Sequence, residues 1–75
     1  MARRTITHVV MFDVNREMWI RLNEGTQRPM ARYANKTTAK KDARRWAANK
    51  AKAGQPISLV IMTKNQQVER QTMYN

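Results

Sequence analysis

Apolar and polar residues alternate with a period of two along the first part of the chain, the spacing of strands with one face turned to a core. Residues 5–12 are rich in β-branched side chains. Ile6, His8, Val10 and Phe12 share one face, and Thr5, Thr7, Val9 and Met11 share the other. Asp13-Val14-Asn15-Arg16 predicts a turn into a second strand over 17–23, where Met18, Ile20 and Leu22 alternate with Trp19, Arg21 and Asn23. Glu24-Gly25-Thr26 follows as a hairpin turn, with Gly25 placed to take a positive φ. A third strand is expected over 27–35. Pro29 cannot donate a ladder hydrogen bond, so this strand belongs at a sheet edge or starts late.

The period then changes. Ala39, Ala43, Trp46 and Ala47 fall at helical spacing, with Thr37 or Thr38 as the expected cap. Gly54 ends this helix, and Pro56 forbids its return. Ile57 to Thr63 is the most apolar run and reads as the central strand. After a turn at Lys64-Asn65-Gln66, residues 67–74 form a last strand with Val68, Arg70, Thr72 and Tyr74 on one side. The order strand-strand-strand-helix-strand-strand predicts an α+β domain: a small antiparallel sheet with one helix packed on one face.

A chain of 75 residues makes one domain, 1–75, with residues 1–4 expected as a flexible basic arm. A domain this small hides only about 60% of the surface that its unfolded chain exposes, so its core is thin and holds no deep cleft. The apolar stretch after Arg3 and Arg4 runs only from Val9 to Phe12, too short for a secretory leader or a membrane span. The expectation is a soluble, unprocessed, cytoplasmic protein. The absence of cysteine fits that compartment and excludes disulfides and thiolate metal sites.

Catalysis has little to work with. His8 is the sole histidine, Ser58 lies inside an apolar strand, and the acids Asp13, Glu17, Glu24, Asp42 and Glu69 show no metal-ligand spacing. No glycine-rich phosphate loop is present. The expectation is a protein that is not an enzyme and uses no cofactor or metal.

Charge changes the picture most. Fifteen Lys and Arg face five Asp and Glu, a net charge of +10, beyond the range of about 2–8 that solubility asks of a small domain. Such a field attracts polyanions. On the helix Lys40, Lys41, Arg44, Arg45 and Lys52 cluster in an arc of about 140° beside the alanine stripe, interrupted only by Asp42. Lys50 projects on the apolar side. An ordinary solvated face mixes signs, whereas this one is suited to phosphate. A second set, Arg21, Arg28 and Arg32, lies on the strands with Trp19 and Tyr33, a mixture suited to phosphate contact and base stacking. Packing between sheet and helix is the competing role for both aromatics, and Trp46 is read as core. Arg3 and Arg4 add an arm that reaches phosphates or a solvated tail.

Trp19, a turn with Gly25 and Arg28, Tyr33, Thr37-Thr38-Ala39-Lys40-Lys41-Asp42-Ala43, Ala47, Leu59-Val60-Ile61 and Tyr74 together resemble a family of small uncharacterised bacterial proteins classed as a domain of unknown function. That family carries a tryptophan strand, a Thr-Lys-x-x-Ala helix start and a final apolar hairpin. The resemblance spans residues 8–75. The chain departs from it at Asn65-Gln66-Gln67, where the family tends to have glycine. Three strands followed by a helix also resemble the arm-site DNA-binding domain of tyrosine integrases, whose sheet lies in the major groove. That likeness implies Arg21, Arg28 and Arg32 as base and phosphate readers and the basic helix as the outer face.

The function expected is therefore nucleic-acid binding, with DNA favoured over RNA, through Lys/Arg clusters on helix and sheet. The competing expectation is a small phage-type effector or inhibitor that grips an acidic surface of a host protein, for which six methionines supply an adaptable contact. No membrane partner is expected, because an alanine-rich face offers little area to lipid. The edge strand over 27–35 offers a route to a homodimer.

Overall fold

The computed structural model describes residues 4–75. Five strands and one helix follow in the order β1 (Ile6–Asp13), β2 (Met18–Asn23), β3 (Arg28–Tyr33), α1 (Lys36–Lys52), β4 (Ile57–Met62) and β5 (Val68–Tyr74). The strands form one sheet in the spatial order β3-β2-β1-β4-β5, and α1 packs on one face of it. The α+β class and the element order read from the sequence are those observed. No helix among the described residues is long and apolar enough to cross a membrane.

The sheet is mixed rather than wholly antiparallel. β1 pairs antiparallel with β2, β2 with β3 and β4 with β5, but β1 and β4 are parallel. The cause is the helix. Seventeen helical residues carry the chain back by about 25 Å, so β4 begins at the end of the sheet where β1 and β3 began. The central strand is accordingly β1, not the more apolar β4, which lies beside it. β3 is an edge strand beginning at Arg28, as Pro29 requires.

Register sorts the side chains onto two faces. His8 stands opposite Asn23 and Leu59, Val10 opposite Arg21 and Ile61, and Phe12 opposite Trp19. These residues lie under the helix. Ala39, Ala43 and Ala47 are fully buried against them, and their small side chains let the helix backbone approach the sheet closely. The helix begins at Asn35, not at either threonine: its extended backbone (φ −139°, ψ 161°) turns the side chain so that Oδ1 accepts from the Thr38 N–H at 2.8 Å. It ends as expected at Gly54, whose φ of 91° lets its N–H reach the Ala51 carbonyl while the Gln55 N–H bonds that of Lys50.

The turns also differ in detail. Asp13 Oδ1 accepts from the Asn15 and Arg16 N–H groups, and Asn23 Oδ1 accepts from those of Gly25 and Thr26. The left-handed positions are Glu17, Gln27 and Gln66. Gln27 rather than Gly25 therefore reverses the second hairpin. The side chain of Asn23 supplies the turn that glycine was expected to make.

One part of the core is polar. His8 is 1% exposed and Arg21 8% exposed, and both lie against the indole of Trp46. The imidazole stacks on it at 4.0 Å between centroids and 18° between planes, and the guanidinium carbon stands 4.6 Å from the indole centroid. His8 Nδ1 and Arg21 Nε and Nη1 have no hydrogen-bond partner among the described residues, so the indole π-face is their main compensation. Burial, reinforced by the Arg21 charge, pushes the His8 pKa down to about 4.

Between pH 6.5 and 4 the unfolded chain takes up a proton at His8 that the folded chain refuses, so stability falls as the pH falls through this window. The expected loss is on the order of 3 kcal/mol. Denaturant unfolding at pH 7, 5.5 and 4 checks it. His8→Phe, which keeps a ring against Trp46, is expected to remove most of the pH dependence, and parallel curves for the two proteins would contradict this origin.

Candidate nucleic-acid interface

The exposed side of α1 is set by what its flanks touch. On the β3 side the Tyr33 hydroxyl donates to Asp42 Oδ2. On the β5 side Lys36 bonds Glu69 Oε1, and Lys40 Nζ lies 3.4 Å from Glu69 Oε2. Glu69 reaches the helix because a bulge interrupts the β4–β5 register between Ile61 and Met62 and leaves it as the extra residue. The Tyr33 hydrogen bond holds the Asp42 carboxyl below its ordinary range, while burial and that same bond push the Tyr33 hydroxyl up to about 12. Lys36 holds Glu69 low in the same way. Both acids that touch the helix are thus tied to its edges.

The outer arc carries no acid. Lys41, Arg44, Arg45 and Lys52 are all exposed. Among the described residues Lys41, Arg44 and Lys52 have no salt bridge, and Arg45 has only a long i,i+3 approach to Asp42 at 3.5 Å. From Lys41 to Lys52 the arc runs about 16 Å along the helix. Thr37 and Ala48, between the cations on the same arc, are short enough to let an elongated anion approach the helix. Lys40, expected in this cluster, turns instead to the flank and is occupied by Glu69. Lys50 sits at the sheet end of the helix, beside Trp46, Met30 and His8 around an open cavity of about 300 Å³.

The expected sheet cluster is not assembled. Arg21 lies under the helix and is buried by Trp46, so the role of phosphate reader given to it from the sequence is corrected to a core position. Alternation with the apolar set of β2 put Arg21 on the face opposite Met18, Ile20 and Leu22 but did not show its burial, because the burying residue comes from the helix 25 positions later. Arg32 pairs in register with Ile20 and stands on the opposite face of the sheet, whereas Arg28 is exposed at the start of β3. Trp19 is 7% exposed and packs edge-on to Phe12 at 5.4 Å, with Lys36 Nζ 5.3 Å above its ring. It is a core residue rather than a stacking platform. Tyr33 is half-buried and engaged with Asp42. Arg4 is exposed, and its carbonyl accepts from Gln55 Nε2 at 2.6 Å, which ties it beside the end of the helix. Arg3 lies outside the described residues.

Among the described residues no group of three His, Cys, Asp or Glu side chains could hold a metal ion. Comparison with protein-family models, with curated proteins and with solved structures returned no match for this chain.

The buried guanidinium of Arg21 has two unpaired nitrogens and no carboxylate in salt-bridge contact. Arg21→Met, which fills the same space without a charge, is expected to leave stability unchanged or raise it by up to about 1 kcal/mol, measured by urea unfolding. A loss of about 3–5 kcal/mol would show instead that the guanidinium has a strong partner in solution.

Proposed function

We propose that this protein binds nucleic acid through the outer arc of α1, with Lys41, Arg44, Arg45 and Lys52 neutralising phosphates. The observation that carries this reading is the segregation of charge: Asp42 and Glu69 are held on the two flanks of the helix, and four exposed cations occupy the arc between them. A net charge of +10 supplies the long-range attraction. Duplex DNA suits the arc better than duplex RNA. The B-form major groove, about 12 Å wide, admits an α-helix, whereas the A-form major groove is too deep and narrow for side chains to read. Contacts of this kind position the protein on the backbone and carry little sequence information.

Four phosphate contacts give a slope of log K against log salt of about −3.5, which amounts to roughly a hundredfold loss of affinity between 50 and 200 mM salt. Fluorescence anisotropy with labelled duplex DNA measures this slope. Lys41→Gln combined with Arg44→Gln is expected to flatten it by about 2 and weaken binding similarly for unrelated sequences. Arg28→Gln combined with Arg32→Gln is expected to leave it nearly unchanged. If the second pair flattens the slope and the first does not, the sheet is the reader and the helix reading fails. No measurable binding at low salt would remove nucleic acid altogether.

A further inference from the structure

The helix covers one face of the sheet, and no element among the described residues packs on the other. That second face is largely apolar, with Thr7, Asp13, Ser58, Gln71 and Arg32 as its polar positions. Val9 lies in register between Leu22 and Val60, and Met11 lies beside Ile20. Met18, Met62 and Met73 extend the patch, so four of the six methionines sit on it. Ile20 and Val60 at its centre keep 9% of their exposure, and Met73 at its margin keeps 51%. Within the five strands Arg32 is the one cation on this face, and it stands on the outermost strand. A contiguous apolar surface of this extent marks an interaction site.

We propose that a second copy of this chain covers this face, so that the protein is a two-fold dimer with its sheets packed against each other. Charge selects the occupant. Neither an acidic nor a basic partner finds a complementary net charge on a surface whose two ions within the strands, Arg32 and Asp13, are of opposite sign. The same surface on a copy is largely apolar, methionine-rich and matched in extent, and adaptable methionines suit self-contact. Two twisted sheets pack face to face at about 10 Å. The basic arcs of α1 then lie on the two outer surfaces about 30 Å apart, several Debye lengths at physiological salt, so the charge of the arcs is screened from pairing.

Area sets the strength. Five strands spaced about 4.8 Å apart, each about 20 Å long, present roughly 500 Å² per copy. The pair buries about 1,000 Å², the lower bound for a specific interface, and a weak, concentration-dependent dimer follows. The alternative contact, strand to strand along a sheet edge, is blunted on both sides: β3 carries Pro29 and a bulge between Arg21 and Leu22 pairing, and β5 carries the bulge at Glu69. The dimer therefore forms through the face rather than through the edge strand that the sequence suggested.

Sedimentation equilibrium of the intact chain from micromolar to about millimolar concentration tests this, with [¹³C]methyl-methionine spectra recorded over the same range. A monomer–dimer equilibrium is expected, with the Met11, Met18, Met62 and Met73 methyl signals moving as the dimer forms. Leu22→Lys and the more exposed Met73→Lys are each expected to weaken association at least tenfold while the helical circular dichroism is kept. A monomer throughout the range overturns the proposal. So does a dimer whose formation leaves these methyl signals unmoved, or one that persists unchanged in the folded variants.

Discussion

Close approach of α1 to the sheet is the constraint on which the rest of this structure depends. It is made by three alanines, Ala39, Ala43 and Ala47, each fully buried, the first two in one cluster with Val10 and Leu59. Larger residues at these positions would lift the helix and open its flanks. With the helix held low, Trp46 beside the stripe lies flat on His8 and Arg21, and the indole takes the place of the hydrogen bonds those buried groups lack. The same proximity brings Asp42 to Tyr33 on one side and Glu69 to Lys36 and Lys40 on the other. Each exposed ion pair contributes little to stability. Their structural effect is on layout: Asp42 is held at the β3 flank of the helix and Glu69 of β5 at the other flank.

That layout gives the two surfaces of the molecule opposite characters. The outer arc of α1 is cationic with no acid in it, and the far side of the sheet is largely apolar, with Arg32 and Asp13 as the charged residues of its strands. Among the described residues this two-layer domain has no third layer on the far side of the sheet. The proposed polyanion contact and the proposed self-contact use different faces, so each can be lost without the other.

Most of the fold could be read from periodicity. The alternation put Ile6, His8, Val10 and Phe12 on one face, which the structure turns to the helix, the alanine spacing identified the helix stripe, and Pro29 restricted β3 to an edge or a late start. Three things were not legible, each for a physical reason. The parallel pairing of β1 with β4 depends on the direction in which the helix returns the chain, which no local pattern records. The cap at Asn35 and the left-handed Gln27 reflect Asx side chains doing what threonine and glycine were expected to do. The burial of Arg21 depends on Trp46, distant in sequence. An arginine alternating with apolar residues on a strand reads as solvent-facing until the element that covers it is placed. Of the candidate site, Lys41, Arg44, Arg45 and Lys52 lie exposed along one arc, whereas Lys40 turns to Glu69, which follows from a bulge that sequence does not announce.

The central claim is that anionic partners meet the outer arc of α1 and not the sheet. Amide and side-chain NMR shifts of the ¹⁵N-labelled chain, followed during titration with short duplex DNA at physiological salt, test it most directly. The account predicts the largest changes at Lys41, Arg44, Arg45, Ala48 and Lys52, with Val9, Ile20, Arg32 and Val60 little affected. Shifts concentrated on Arg28, Arg32 and the helix-free face, with the α1 arc silent, would contradict it.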